Sequence, residues 1–471
     1  MNQKSPNNKY DVIIIGAGIG GLVCGCYLAK AGKKVLIIER RANVGGCCTS
    51  FTTNGFTFDA FAHSLGGLRK NGVLDVVLRE LEIKNRISIH KHDPSDIFIT
   101  PHYRICFWDN LEKIIDHLKS QFPGESSNIN NLMSCLAYSK GGDTVRLKNL
   151  SFSNFLDGFI QDRNLKALLS MPVLGNAGLS PSMISAFTAV KLYQEFHLDG
   201  GYYPEGGMQK FSDLFADRFE EFGGTIILSE TVKKLLLTSD GRVNGVEFGK
   251  GERIASPIII SNCDATQTFN KFITDADVKK PNTHNMKVSS SVYSIFLGVD
   301  KNVISKYEDF DATVWHMFSY DIEDMYLKGC EGIFDEILWF MVFPSPDKKG
   351  VAISILAPFK DEKFWTDYKY IFFDKLFARV KERLPFLEKI DVKQKAIITP
   401  LTINRWTLNS RGAAYGWAST PSQFIVPGFT QTTFVEGLFL TGHWTTQTIG
   451  ISGVAYMGRD TAKIVLSRLR K

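Results

Sequence analysis

The chain contains no run of about 18 apolar residues, so no segment reads as a membrane-spanning helix. Its opening residues, Met1 to Lys9, are polar and lack the apolar stretch of a secretory signal. The eight cysteines are dispersed and include no Cys-x-x-Cys pair, which in 471 residues points to reduced thiols rather than a disulfide framework, and no metal site is expected. No basic stripe interleaved with aromatics and no recognition motif for nucleic acid is present, so nucleic acid is not an expected partner. Internal repeats, low-complexity tracts and long linkers are also missing. These absences leave an expectation of an intracellular, cytoplasmic chain, long enough for two or three domains around a substantial core. Apolar residues at 44% and charged residues at 22% are ordinary for such a chain. Net charge is +6, with a basic tail at Lys463, Arg468, Arg470 and Lys471. That tail reads first as solvated surface and second as attraction to anionic lipid on the inner face of a membrane. Thirty-five phenylalanines read first as core filling and second as lining for an apolar ligand.

The clearest signal stands at the start. Asp11 to Ile15 is a β-branched run suited to a strand buried on both faces. Gly16-Ala17-Gly18-Ile19-Gly20-Gly21 follows at once and matches G-x-G-x-x-G at Gly16, Gly18 and Gly21. A helical pattern runs from Leu22 to Ala31 and stops at Gly32, and a second strand, Lys34 to Ile38, ends in Glu39. Gly16 permits the tight turn, Gly18 lets backbone approach a pyrophosphate, and Gly21 lets helix pack on strand. The helix N-terminus offers N–H groups and partial positive charge to an anion, and Glu39 is placed to accept from an adenosine ribose. Strand, glycines, helix, second strand and acid in that order specify a dinucleotide-binding βαβ unit.

Arg40-Arg41-Ala42-Asn43-Val44-Gly45-Gly46 then resembles the E-x-x-x-x-x-G-G extension of FAD enzymes in the glutathione-reductase structural class, in which the extra glycines continue the site toward the flavin. Further blocks lie at Gly55-Phe56-Thr57-Phe58-Asp59, at Tyr203-Pro204-Glu205-Gly206-Gly207-Met208 and at Glu230-Thr231-Val232. The last comprises Gly437 to Thr446 with Gly450-Ile451-Ser452-Gly453, followed by a helix over about 454–469. A strand ending at Gly442 and a helix beginning near Ile451 would aim N–H groups at a flavin and stabilise negative charge developing on it. Blocks so far apart serving one site require a discontinuous domain. The expected fold is α/β, a Rossmann-type FAD-binding domain from residues 1–90, 202–285 and 395–471. A mixed α+β substrate domain, facing a membrane, is inserted as residues 91–201 and 286–394.

Taken together, these blocks, with Thr399-Pro400-Leu401-Thr402 and Gly412-Ala413-Ala414-Tyr415-Gly416, resemble the phytoene desaturase, carotenoid isomerase and retinol saturase family of flavoproteins. The resemblance implies bound FAD, an isoprenoid or polyene substrate, and chemistry at a carbon–carbon bond: desaturation, saturation or cis–trans isomerisation. It also implies association with the membrane surface that supplies the substrate. The sequence departs from the family at Cys47-Cys48, at Phe61-Ala62-His63-Ser64, which replaces a Gly-Pro-Ser/Thr turn, and at Gln447-Thr448, which replaces Pro-Gly. Two other readings share the frame: a flavin amine oxidase-like enzyme, and a non-catalytic prenyl-binding protein of the GDP-dissociation-inhibitor type.

Flavin chemistry resides in the cofactor, so no side-chain triad is required. The expected cofactor contacts are Gly16, Ala17, Gly18, Gly20, Gly21, Glu39, Arg40, Gly45, Gly46, Cys47, Val232, Gly442, His443, Gly450, Ile451 and Ser452. His63 is the candidate for exchanging a proton at a substrate carbon, against a structural, hydrogen-bonded histidine. Cys47-Cys48 reads as packing, because adjacent cysteines close a strained ring. Trp339 to Phe343 reads as a buried strand, and with Phe152, Phe155 and Phe159 as a candidate tunnel wall. Phe152 to Ile160 is amphipathic, read as core before a membrane-dipping helix.

Overall fold

The computed structural model describes residues 9–139, 144–275, 278–299, 309, 311–388, 391–424, 426–445 and 449–470. The residues before Lys9, the segment Thr446-Gln447-Thr448 and Lys471 lie outside them.

β-Branched runs bounded by glycine build a five-stranded parallel sheet in the spatial order Leu438–Leu440, Ile259–Ser261, Val12–Ile15, Val35–Ile38, Thr225–Ile227. Ile13 lies opposite both Leu36 and Ile259. Alternate residues of the central strands enter two different cores, as a sheet covered on both faces requires. Val12, Ile14, Val35 and Ile37 pack with Leu22, Phe215 and Val465 of the helices Ile19–Lys30, Met208–Glu221 and Gly450–Leu469. Ile13, Ile15, Leu36 and Ile38 pack with Leu235 and Val246 of a three-stranded antiparallel sheet, Val232–Leu237, Val243–Phe248 and Glu252–Ala255. Gly458 lets the last helix lie against the first, since a Cβ there would stand 2.5 Å from the Gly20 carbonyl oxygen. The last helix begins at Gly450, next to the start near Ile451 that the C-terminal block implied.

A seven-stranded sheet runs Gln394–Ile398, Ser291–Gly298, Gly350–Ala357, Trp339–Pro344, Thr313–Met317, Asp96–Ile99, Arg104–Phe107. All its pairs are antiparallel except Thr313–Met317 with Asp96–Ile99. Residues 395–398, expected in the cofactor-binding part, thus pair in this second sheet. Its outer face is covered by the helix Glu362–Arg383: the Tyr293 ring stacks on Trp365 at 5.8 Å and meets Phe372 at 4.4 Å. Helices including Phe152–Asp157, Arg163–Ala177 and Ala186–Leu192 join the same core. Phe152 and Phe155 are fully buried in that core, which rules out the membrane-dipping reading of their helix. Among the described residues no helix is long and apolar enough to cross a membrane.

Asp59, which ends the strand Phe56–Asp59, ties together segments that lie far apart in the chain. Its carboxylate accepts from Ser50 Oγ at 2.6 Å, from the Met208 N–H at 3.0 Å and from the Tyr203 hydroxyl. Burial pushes its pKa up to about 6 against the pull of those donors. The Gly-Phe-x-Phe-Asp block and the Tyr-Pro-Glu-Gly-Gly-Met block therefore meet in space, the first supplying an acceptor to the first turn of the helix that the second begins.

Candidate functional site

A cavity of about 890 Å³ opens at the carboxyl ends of the parallel strands and continues over the inner face of the seven-stranded sheet. In its first half, Gly16 takes φ +96°, a conformation that favours glycine, and turns the chain from strand into helix. Gly18 is the N-cap of Ile19–Lys30, with no side-chain cap and no acid in the first turn. The first N–H groups of that helix have no intrahelical acceptor and suit an anion. Gly46 lies on the glycine turn, where a Cβ would stand 3.2 Å from Gly18 Cα, and the Gly45 N–H donates to the Ala17 carbonyl at 2.8 Å. Glu39 Oε2 accepts the Ala17 N–H and Oε1 the Arg41 N–H, both at 2.8 Å, so this acid also fastens the turn to the end of the second strand.

Of the expected cofactor contacts, Gly16, Gly18, Gly20, Glu39, Arg40, Gly45, Gly46, Cys47, Val232, Gly442, His443, Gly450, Ile451 and Ser452 line this cavity. Ala17 and Gly21 do not. Ala17 is buried and serves through its backbone bonds, while Gly21 is a packing glycine whose Cβ would lie 2.3 Å from the Gly16 oxygen. Arg40 donates to the carbonyls of Arg405, at 2.8 Å, and Trp406. Burial pushes the Cys47 thiol up to about 11, partly opposed by Arg41, and both Cys47 and Cys48 are free thiols. The Ser452 hydroxyl donates to the Gly66 carbonyl at 2.7 Å, which leaves its backbone as the cavity-facing group. Burial lowers His443 to about 4, so it is neutral near pH 7.

Asn262 was not evident from the sequence. It follows the strand Ile259–Ser261, lines the cavity and donates to the Gly16 carbonyl at 3.3 Å. A Cβ on Gly20 or Gly442 would stand 2.8 or 2.4 Å from its Oδ1. Its amide thus wedges between the glycine turn and the C-terminal block. The only sequence cue was its place at a carboxyl strand end, where ligands bind in open α/β sheets.

The second half of the cavity is walled by Phe61, Val292, Met341, Trp406, Tyr415 and Phe196. Met341 is the one member of Trp339–Phe343 that lines it, and Phe152, Phe155 and Phe159 do not. His63 also lines it, with its ring 5.2 Å from that of Phe343 and 5.9 Å from that of Phe196. Both imidazole nitrogens are engaged by protein: Nδ1 with Thr313 Oγ1 at 3.0 Å and Nε2 with Asn176 Oδ1 at 3.2 Å. The proton exchange expected of His63 therefore finds no unengaged ring nitrogen. The network continues inward from Asn176 Nδ2 to His197 Nε2 at 3.4 Å. His197 Nδ1 stands 3.4 Å from Asp96 Oδ2, a contact that falls short of hydrogen-bond geometry. Asp96 accepts from Trp315 Nε1 at 2.8 Å and Ser95 Oγ at 2.9 Å. Burial works to raise the Asp96 carboxyl, but His197 and Trp315 hold it below the ordinary carboxylate range; burial lowers His63. His197 closes a π-helical turn, Tyr193–His197, whose Glu195 and Phe196 face the cavity.

An uncapped helix N-terminus beside stacked glycines, an acid at the end of the second strand and a second uncapped helix start at Gly450 fit a flavin dinucleotide laid along this cavity. Among the described residues no cluster suited to a metal ion occurs. Residues 14–81 match the NAD(P)-binding Rossmann-like domain family. The chain is 27% identical to the all-trans-retinol 13,14-reductase of Rattus norvegicus over 87% of its own length and 77% of that protein's. It is 25% identical to the chloroplastic prolycopene isomerase 2 of an Oncidium hybrid cultivar, over 96% and 82% of the two chains. Its fold is that of putrescine oxidase, whose structure bound to putrescine superposes with a TM-score of 0.66 at 16% identity, covering 98% of this chain and all of that one. Over most of its length the chain is thus similar in sequence to a retinol reductase and a prolycopene isomerase, and in fold to a flavin-class oxidase.

Proposed function

We propose that the protein binds FAD and uses it to rearrange hydrogen or geometry at a carbon–carbon bond of an extended polyene of the carotenoid or retinoid kind. The observation that carries this reading is the continuity of the cavity: one space joins the dinucleotide cradle to an aromatic chamber floored by the second sheet. Bound flavin supplies or accepts hydride. Gly18 and Gly46 leave room for the pyrophosphate, the N-termini of the first and last helices offer N–H groups to negative charge, and Glu39 retains lone pairs for the adenosine ribose. The aromatic walls exclude water and hold a flat conjugated chain against the cofactor. His443 is neutral near pH 7, and both ring nitrogens of His63 are engaged by protein. Purified protein is expected to be yellow, absorbing near about 450 nm, to release FAD on denaturation, and to convert an added polyene into a product either isobaric with it or changed by a pair of hydrogens. Colourless protein that takes up no flavin would overturn the reading.

Glu39 gives a graded test of the cofactor assignment. In Glu39→Gln one end of the side chain becomes an NH₂ group facing a backbone N–H, either that of Ala17 or that of Arg41. Loss of a charge-assisted bond costs about 1.5–3 kcal/mol, so FAD affinity is expected to fall ten- to hundredfold. Titration of apoprotein followed by flavin fluorescence measures this, and wild-type affinity would remove Glu39 from the site.

A membrane seat is also part of the proposal. The exposed basic end of the last helix and a lipid-borne substrate favour binding to anionic vesicles at low salt, reversed at high salt.

A further inference from the structure

The chamber floor is set by strand register. Ser294 stands opposite Ser354, and Ser354 opposite Met341, so these three side chains form one row across three strands. All three line the cavity. Both serines are buried, at 2% and 3% exposure, in strands whose other residues, apart from Ser291, are apolar, aromatic or glycine.

Their hydroxyls lie 2.7 Å apart. A hydroxyl has one donor, so one serine donates to the other and the receiving serine keeps its own proton. Among the described residues that second proton has no acceptor: each Oγ bonds to the other and to nothing else. The pair therefore presents one unspent O–H and several lone pairs to a chamber walled by apolar side chains. A buried donor left unmet is destabilising, and a matching acceptor on a ligand would relieve that cost.

We propose that Ser294 and Ser354 form an oxygen-recognition subsite, and that the preferred substrate carries a neutral hydroxyl or carbonyl group on its apolar chain. This rests on the polyene reading above and narrows it. A neutral oxygen fits better than a carboxylate, because one hydroxyl donor in an apolar wall does not replace the hydration an anion would lose. A plain hydrocarbon leaves the donor unmet. The subsite acts on selectivity: it accepts a hydrogen bond from the ligand's hydroxyl or donates one to its carbonyl, and it fixes how far along the chamber the chain slides before a given double bond faces the cofactor.

The test uses the flavin-loaded protein, its Ser294→Ala/Ser354→Ala double variant, and two probes, a polyene alcohol and the hydrocarbon of equal length and unsaturation. Dissociation constants come from quenching of intrinsic fluorescence, with flavin content and Tm as folding controls. The wild type is expected to bind the alcohol at least about fivefold more tightly than the hydrocarbon. The double variant is expected to lose that preference by weakening on the alcohol alone. Equal affinity of the wild type for both probes, or equal weakening on both in the variant, overturns the subsite and leaves the polyene reading intact. A wild type that binds neither probe overturns the polyene reading and the subsite with it. If the double variant loses flavin, the Ser294→Cys/Ser354→Cys protein answers the same question, since its thiols keep the side-chain shape but donate only weakly.

Discussion

The Gly18→Val protein is expected to fold, to purify colourless and to hold almost no flavin, a loss of at least about a hundredfold in affinity. Gly18 sits at φ −70° and ψ 167°, backbone that valine adopts without strain. Its added Cβ would meet only the side-chain amide of Asn262, at 2.9 Å, a group that can give way. In the cofactor placement proposed above, the rest of the isopropyl group takes space beside the glycine turn that the pyrophosphate would need. Gly21→Val offers the contrast: its Cβ would lie 2.3 Å from a backbone oxygen, so this variant is expected to misfold rather than merely empty the site. Circular dichroism and the ratio of flavin to protein absorbance separate the two outcomes, and a folded, fully flavinated Gly18→Val protein would show the cofactor to lie elsewhere.

Asp96→Ala is expected to cost about 3–5 kcal/mol of stability at neutral pH, the range for leaving buried polar and charged partners without their counterpart. The carboxylate is 2% exposed and His197 fully buried, and its removal strips the acceptor from Trp315 Nε1 and Ser95 Oγ and the facing oxygen from His197 Nδ1. The pH dependence follows from the sign of the shift. The folded carboxyl titrates below its unfolded value, so its contribution is complete above about pH 4 and is lost as pH falls through the depressed folded value. The stability gap between wild type and Asp96→Ala should therefore be full at pH 7 and shrink below about pH 4. Urea unfolding at the two pH values measures it, and a gap of under about 1 kcal/mol at pH 7 would mean that the network carries little. His63→Ala, which breaks only the outer bonds to Thr313 and Asn176, should cost less, about 1–3 kcal/mol, with turnover per bound flavin largely kept.

The cofactor half of the site was legible because its chemistry is local. A glycine turn, a helix start and an acid at the end of the next strand are read from consecutive residues, and fourteen of the sixteen expected contacts line the cavity. Ala17 and Gly21 stand off the cavity wall, the second in the packing role that the spacing of the glycine motif gives it. Asn262, Asn176 and the serine pair were invisible because each owes its position to register between strands or helices far apart in the chain: Ser294 meets Ser354 only through sheet pairing. His63 was singled out for its chemistry, yet its environment is set by Thr313 and Asn176, 250 and 113 residues away, and no local pattern encodes that. The edge strand Gln394–Ile398 was misplaced for a similar reason, since a short strand carries no mark of which sheet it will join.

The first sheet acquires its fifth strand, Leu438–Leu440, from the far end of the chain, more than 400 residues after Val12–Ile15. Synthesis runs from one end to the other, so the βαβ unit with its glycine turn emerges long before the strand and helix that complete the cofactor cradle. Pairings so distant in sequence form slowly. Between the synthesis of Ile259–Ser261 and that of Leu438–Leu440 the nascent chain thus exposes an incomplete sheet whose open edge is the strand Ile259–Ser261. Flavin capture becomes a late event, after release of the C-terminus, and the yield of active protein will depend on flavin being at hand when that last strand docks.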